Sequence, residues 1–358
     1  MTDKPDRDQG EEIAARIRDA AASGQALYIQ AGGSKRALLG RECLAPVLDV
    51  SGHSGIIDYQ PSELVLTARA GTPLATLQAV LSERGQELPF DPPLFAGRAT
   101  LGGTLACNLS GPARPWRGSV RDLVLGVQLI NGSGEMLRFG GRVMKNVAGY
   151  DVSRLQAGAL GTLGVLSEIS LKVLPRAEHT ITLAYDMPAA QALTAMNQRA
   201  ASAAPLSGAC WLDGKLYLRL AGKPGAVTHT ARNWGGEAVA EGDEFWRDLR
   251  DLRLPFFAGD APLWRLSVKP TATLASPPQP VLLDWCGAQR WLRGEFRLEA
   301  LQQQAAIAGG NATLVRGGDR TAEVQPPPDP VSRRLQQRLK HSFDPHGIFN
   351  PGRLYGWL

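Results

Sequence analysis

Three clusters of glycine carry most of the chemistry this sequence could perform. The first is the run Ala31, Gly32, Gly33, Ser34, Lys35. The second sets Gly102, Gly103 and Gly111 among Thr100, Thr104, Asn108 and Ser110. The third spaces Gly158, Gly161 and Gly164 three residues apart, with Thr162 between them and Val165 and Ile169 following. Glycine allows close backbone approach and positive φ, and successive N–H groups aimed at one point form a nest for anions. Ala31–Lys35 would suit a pyrophosphate, with the Ser34 hydroxyl as a further donor. The short polar side chains around Gly102 and Gly103 suit hydrogen bonding to a polar ligand. Taken singly, each cluster is also what a tight turn looks like. The G-x-G-x-x-G order is absent, and neither Gly32-Gly33 nor Gly158 opens a clean strand–helix–strand unit, which argues against a Rossmann site.

The elements that would have to position these loops are marked in the sequence. Residues 11–22 carry helical periodicity. The segment 26–30 is a strand running straight into the first glycine cluster, and 63–71 is another strand. Thr72 and Pro73 suggest an N-cap and first-turn pair opening a helix with Leu74, Leu77 and Leu81 on one face, closed by Gly85. Residues 93–118 are rich in glycine and proline. Asn131-Gly132 then joins "LVLGVQLI" to "EMLRF" as a hairpin. A strand over 165–173 puts Val165, Ile169, Leu171 and Val173 on one face, and Pro175 ends it. Beyond about residue 178, alternating segments separated by Ala-rich stretches give an α+β texture. "ASPPQP" (275–280) and "QPPPDP" (325–330) are loops, and a basic helix with a turn-rich tail closes the sequence.

Bulk properties narrow the class. At 358 residues the default is two domains. A content of 44% apolar and 20% charged residues is that of an ordinary soluble globular protein. The net charge of +5 is scattered in pairs, so no nucleic-acid arm is indicated. Cys43, Cys107, Cys210 and Cys286 form no C-x-x-C pair, which argues against a disulfide framework and a cluster or zinc site. No metal site is expected. The polar start lacks an apolar signal region and no run is long enough to span a bilayer, so the expected location is cytoplasmic.

Taken in order, "QAGGSK", "AGRATLGGTLACNLSGP", "RGSVRDLVLGVQLINGSGE", "KNVAGYDVSRLQAGALGTLGVLSEISLKVLP" and "FDPHGIFNPGRL" resemble the FAD-linked oxidases of the vanillyl-alcohol oxidase type. Within them, the likeness is strongest to the flavin subunits of bacterial glycolate oxidase. The resemblance implies an α+β fold: a two-part PCMH-type FAD-binding domain over 1–177, a smaller α+β cap domain over 178–330, and a C-terminal segment, 331–358, returning to the flavin domain. It assigns pyrophosphate contacts to Ala31, Gly32, Gly33, Ser34 and Lys35. Thr100, Gly102, Gly103, Asn108 and Gly111 would line the flavin and its phosphates. Gly158, Gly161, Thr162, Gly164, Val165 and Ile169 would hold the adenosine side and ribityl region, and Asn350 and Arg353 would lie near the isoalloxazine. The first loop has no histidine, so the FAD would be non-covalent.

The resemblance also implies partners: a second flavin subunit, an iron–sulfur subunit that carries electrons away, and a small hydroxy-acid substrate. Contact with the inner face of the membrane would come only through that complex. One departure matters. Relatives that oxidise 2-hydroxy acids carry a signature of the form H-x-G-D-G-N-x-H, whereas His53, His179, His229, His341 and His346 fall in no such pattern here. The usual acid–base group is missing, and Lys145 and Tyr150 are the weak catalytic candidates that remain. Two alternatives stay open: a stand-alone FAD oxidoreductase acting on another small substrate, or a structural subunit stabilised by FAD.

Overall fold

The alternating strand Val165–Lys172 lies at the centre of one layer, buried on both faces. A computed structural model describes residues 7–141, 150–274 and 281–358. In it this strand pairs antiparallel with Val65–Arg69 on one side and Val124–Ile130 on the other. Ile56–Gln60 and Met136–Gly140 complete a five-stranded sheet. The Asn131-Gly132 turn joins Val124–Ile130 to Met136–Gly140 as a hairpin, its Asn131 side chain accepting from the N–H groups of Ser133 and Glu135. The helix Leu74–Glu83 lays Leu74, Leu77 and Leu81 on this sheet, against Leu66, Phe90, Ile169 and Leu171. It starts one residue later than its sequence suggests. Pro73 has extended geometry and Thr72 provides no cap, because its hydroxyl exchanges hydrogen bonds with the backbone of Gly55.

Beside this layer, Tyr28–Gln30 runs parallel to Val47–Asp49. Leu27 also pairs parallel with Phe349, so the C-terminal tail adds a third course to this small ladder. The helix Gly10–Ser23 buries Ile13, Ile17 and Ala20 against Leu48, Ile348 and Phe349. Alternating apolar positions on the helix and on both strands meet in one core, which explains why chain ends so far apart in sequence close together.

The remaining chain builds an eight-stranded antiparallel sheet. Its last four strands in order are Val281–Asp284, Gln289–Arg293, Leu263–Ser267 and Asn311–Arg316. On one face Trp264, Leu266, Leu292 and Leu314 pack with Leu301 and Ala305 of the helix Leu298–Ile307. Register places Asp284 opposite Gln289, and Arg265 opposite both Trp291 and Thr313, on the other face. That polar row looks toward the second glycine loop and the end of the helix Gly242–Arg250.

Loop 37–42 fastens the two layers together. Leu38 bridges to Arg316, and the Leu39 N–H donates to the Val315 carbonyl at 2.9 Å. The Arg320 guanidinium donates to the carbonyls of Ala37, Leu39 and Gly40. The helix Pro330–Phe343, capped by Asp329, then leads to the tail. Among the described residues no helix is long and apolar enough to cross a membrane.

Candidate functional site

Where the small ladder, the five-stranded sheet and the tail meet, a cleft encloses about 830 Å³, open solvent at its mouth included. One wall is the first glycine cluster: Ala31, Gly32, Gly33, Ser34 and Lys35 all line it. Strand Tyr28–Gln30 ends here and the chain swings away, with Gly33 at φ 66°. A Cβ on Gly32 would collide with the Arg98 carbonyl, so this loop can approach the second one only as glycine. Among the described residues, none of the five N–H groups from Ala31 to Lys35 donates to a protein acceptor. Ala31 to Ser34 are half-buried and Lys35 is buried, so these amides are available to a ligand.

The second wall is the start of the helix Leu101–Cys107, capped by the Thr100 hydroxyl, with Thr100, Gly102 and Gly103 on the lining. A Cβ on Gly102 would meet that of Ala70 at 2.7 Å, so the helix also needs glycine to lie this close to the sheet. The third wall is the loop ending at Gly161 and Gly164, and the fourth is the tail with Asn350 and Arg353. Asn350 braces two walls at once: its Oδ1 accepts from the Ile29 N–H at 2.7 Å and its Nδ2 donates to the Leu160 carbonyl at 2.6 Å. Arg353 donates to the carbonyls of Arg36 and Leu38 at 3.0 and 3.1 Å and to Arg41, locking the loop after the first glycine cluster.

The cleft is electropositive. Among the described residues Lys35, Arg36 and Arg353 line it and no carboxylate does. Lys35 is buried, with its ammonium 3.3 Å from the Ser34 hydroxyl and 5.6 Å from the centre of the Phe95 ring. Burial pulls its pKa below the usual lysine value, and an anion in the cleft would oppose that pull. Burial likewise pushes the neighbouring Cys107 thiol up.

Other residues singled out by sequence lie elsewhere. Val165 and Ile169 are buried in two different cores, and Thr162 turns its hydroxyl to the Ala159 carbonyl at 2.7 Å. Asn108 closes the helix of the second wall at φ 49°, and the Gly158 N–H supports that helix through the Leu105 carbonyl. Gly111 lies on a second cavity, its carbonyl accepting from the Trp285 indole at 3.0 Å. Tyr150 is 98% exposed and lines neither cavity, and Lys145 lies outside the described residues. Sequence reasoning missed Tyr28, Gln30, Val50 and Cys107 on the lining, and above all Gln156. Gln156 is 2% exposed and its Nε2 is buried with no partner among the described residues. A polar residue inside "SRLQAG" gives no local sign of that.

The second cavity encloses about 510 Å³, open solvent included, between the polar row of the large sheet and the second glycine loop. Arg265, Asp284, Gln289 and Trp291 come from the sheet, Arg250 from the end of the helix Gly242–Arg250, and Phe95, Leu109, Ser110 and Gly111 from the loops. Phe95, Cys107, Leu109 and Leu160 pack together as the partition between the two cavities.

Comparison with known proteins gives consistent results. Residues 8–140 match the family of the FAD binding domain. Over 351 residues the chain is 45% identical to glycolate oxidase subunit GlcE of Escherichia coli (strain K12), covering 98% of this chain and 99% of that one. It is 32% identical over 128 residues to glycolate oxidase subunit GlcD of Bacillus subtilis (strain 168), covering 36% of this chain and 27% of that one. Among solved structures, alkyldihydroxyacetonephosphate synthase superposes with a TM-score of 0.64 at 14% identity, covering 95% of this chain and 75% of that one, which shows a shared fold. The α+β architecture is therefore that of PCMH-type FAD-binding proteins.

Proposed function

The chain belongs to the family of glycolate oxidase subunit GlcE, and from that premise we propose that it is the FAD-binding subunit of a glycolate oxidase complex. It takes part in oxidation of glycolate to glyoxylate, with electrons passed to partner subunits. The observation that carries the reading is the electropositive cleft. Ala31 to Lys35 line it, and among the described residues their five N–H groups have no protein acceptor and no carboxylate joins the lining. That donor set fits a diphosphate. The orphaned Gln156 Nε2 fits an acceptor oxygen or nitrogen of a flavin, and glycine at 32 and 102 lets two walls of the cleft close against Arg98 and Ala70.

In this reading Ala31–Lys35 bind the pyrophosphate, Thr100, Gly102 and Gly103 bound the flavin, and Gly161 and Gly164 exclude water behind it. Asn350 and Arg353 hold the walls in register. The remaining residues named by resemblance, Asn108, Gly111, Gly158, Thr162, Val165 and Ile169, act by supporting those walls. Bound FAD supplies the hydride-accepting centre. No histidine stands on the first loop, so the flavin is held without a covalent bond. The flavin domain is assigned to residues 1–177, where the five-stranded sheet ends at Lys172. The cap is assigned to 178–330, where the large sheet begins at His179, and the tail to 331–358.

The partners in this reading are a second flavin subunit and an iron–sulfur subunit. Four free cysteines, widely separated, fit a chain that holds no cluster itself and works in the reducing cytoplasm. The test is the visible absorption spectrum of the purified chain before and after acid precipitation. Flavin bands that pass wholly into the supernatant are expected. Colour that stays with the pellet overturns non-covalent attachment, and a colourless chain that takes up no added FAD overturns the reading.

A further inference from the structure

The polar row of the large sheet is unlike an ordinary interior face. Strand Leu263–Ser267 is flanked by strands on both sides, so Arg265 is held rigidly by its ladder. Cross-strand register sets Arg265, Trp291, Gln289 and Asp284 on the one face that looks across the second cavity at Ser110 and Gly111. Arg265 has its Nε shielded from solvent without a partner, and among the described residues no carboxylate or carbonyl accepts from its guanidinium. Arg250 is salt-bridged to Asp251 at 2.8 Å and to Asp91 at 3.8 Å, yet its own Nε is also buried without a partner. Two buried guanidinium Nε–H groups that lack acceptors beside one cavity are costly unless an anion completes them. Coulomb repulsion from Arg114 adds to that cost for Arg265.

We propose that the second cavity is a binding site for a small carboxylate, with the Arg265 and Arg250 guanidinium groups as its counter-ions and Gln289 and Ser110 as neutral hydrogen-bonding groups. The cavity is small, shares an apolar partition with the candidate flavin cleft, and presents the planar Arg265 fork, suited to a planar carboxylate. The inference deepens the proposed function by giving the hydroxy acid a place on this chain. It rests on that reading for the identity of the anion, not for the existence of the site.

The experiment is isothermal titration of the purified full chain with glycolate, with oxalate as a non-oxidisable carboxylate, and with glycolamide as the uncharged control. Glycolate and oxalate are expected to bind and glycolamide is not. The variant R265Q is expected to weaken oxalate binding by roughly thirty-fold or more, as loss of a buried charge partner does. R265K should recover part of that loss. Flavin absorbance per chain should be unchanged in both variants, because Arg265 does not line the flavin cleft. Failure of the wild type to bind either carboxylate overturns the proposal, as does equal binding of glycolamide or unchanged oxalate affinity in a folded R265Q or R265K. A colourless chain that still binds oxalate through Arg265 overturns the flavin reading and leaves the anion site standing.

Discussion

Gly161 has φ 74°, and a Cβ there would meet the Asn350 Nδ2 at 2.7 Å. Asn350 is hydrogen-bonded at both ends of its amide, so it has little freedom to move aside. The substitution G161A is therefore expected to cost about 1–3 kcal/mol of stability and to lower the flavin-to-protein ratio. Chemical denaturation and absorbance check this, and a variant equal to wild type in both would show the third loop is no rigid wall. Asp284 gives a pH signature. It is 2% exposed, and burial raises its pKa to about 7 against hydrogen bonds from the Trp285 N–H and Gln289 and the field of Arg219, with Asp91 adding to the rise. A carboxyl whose folded pKa is raised contributes stability that is full below the ordinary carboxylate range and is lost as pH rises to about 7. Arg250 and Arg265 line the same cavity, and the nearby thiols of Cys210 and Cys286 are kept neutral by burial. The variant D284N is thus expected to melt higher than wild type at pH 8 and to show no such gain at pH 4. The reverse order would contradict a buried acid at this position.

The helix Pro330–Phe343 is fixed to the core by one buried group at its end. The Lys340 ammonium donates to Asp344 at 2.7 Å and to the carbonyls of Thr162 and Phe349 at 2.9 and 2.8 Å. Asp344 in turn accepts from the N–H groups of Ile348 and Phe349 at 3.1 and 2.8 Å. The variant K340M leaves that carboxylate buried with no cation, and a loss of about 3–5 kcal/mol in urea unfolding is expected. An unchanged midpoint would mean the tail is held by its apolar contacts alone. Most elements on the flavin side are legible in the sequence, because alternation and an Asn-Gly turn are local signals. Leu27 with Phe349 is not, since two strands paired across most of the chain leave no mark on either segment. The polar row is hidden for a similar reason. Arg265, Asp284 and Gln289 sit in three strands, and each alone looks like a solvent-facing position in an alternating pattern. Only the register brings them to one face. At the site, the glycine clusters are legible as loops, but which of their residues face the cleft depends on packing from both layers. Val165 and Ile169 follow the third cluster directly and still point into cores.

Across the molecule, the loop after the first glycine cluster is gripped from two directions. Arg320 and strand Asn311–Arg316 hold it from the large sheet, and Arg353 holds it from the tail. Arg320 does not line the cleft, and burial lowers its pKa to about 10. If that grip positions the phosphate loop, R320A should weaken FAD binding by about fivefold or more in fluorescence titration without changing the spectrum of bound flavin. Unaltered affinity would show that the loop holds its shape unaided. The tail's course beside Tyr28–Gln30 has a consequence in time rather than in space. Ile29 and the side chain of Asn350 are hydrogen-bonded partners 321 positions apart. At about 5–20 residues per second, a ribosome needs roughly a quarter of a minute to one minute to make the second after the first. Once Gly164 has been made, the nascent chain carries three walls of a cleft and lacks the fourth, so the cavity closes only after Asn350 has followed.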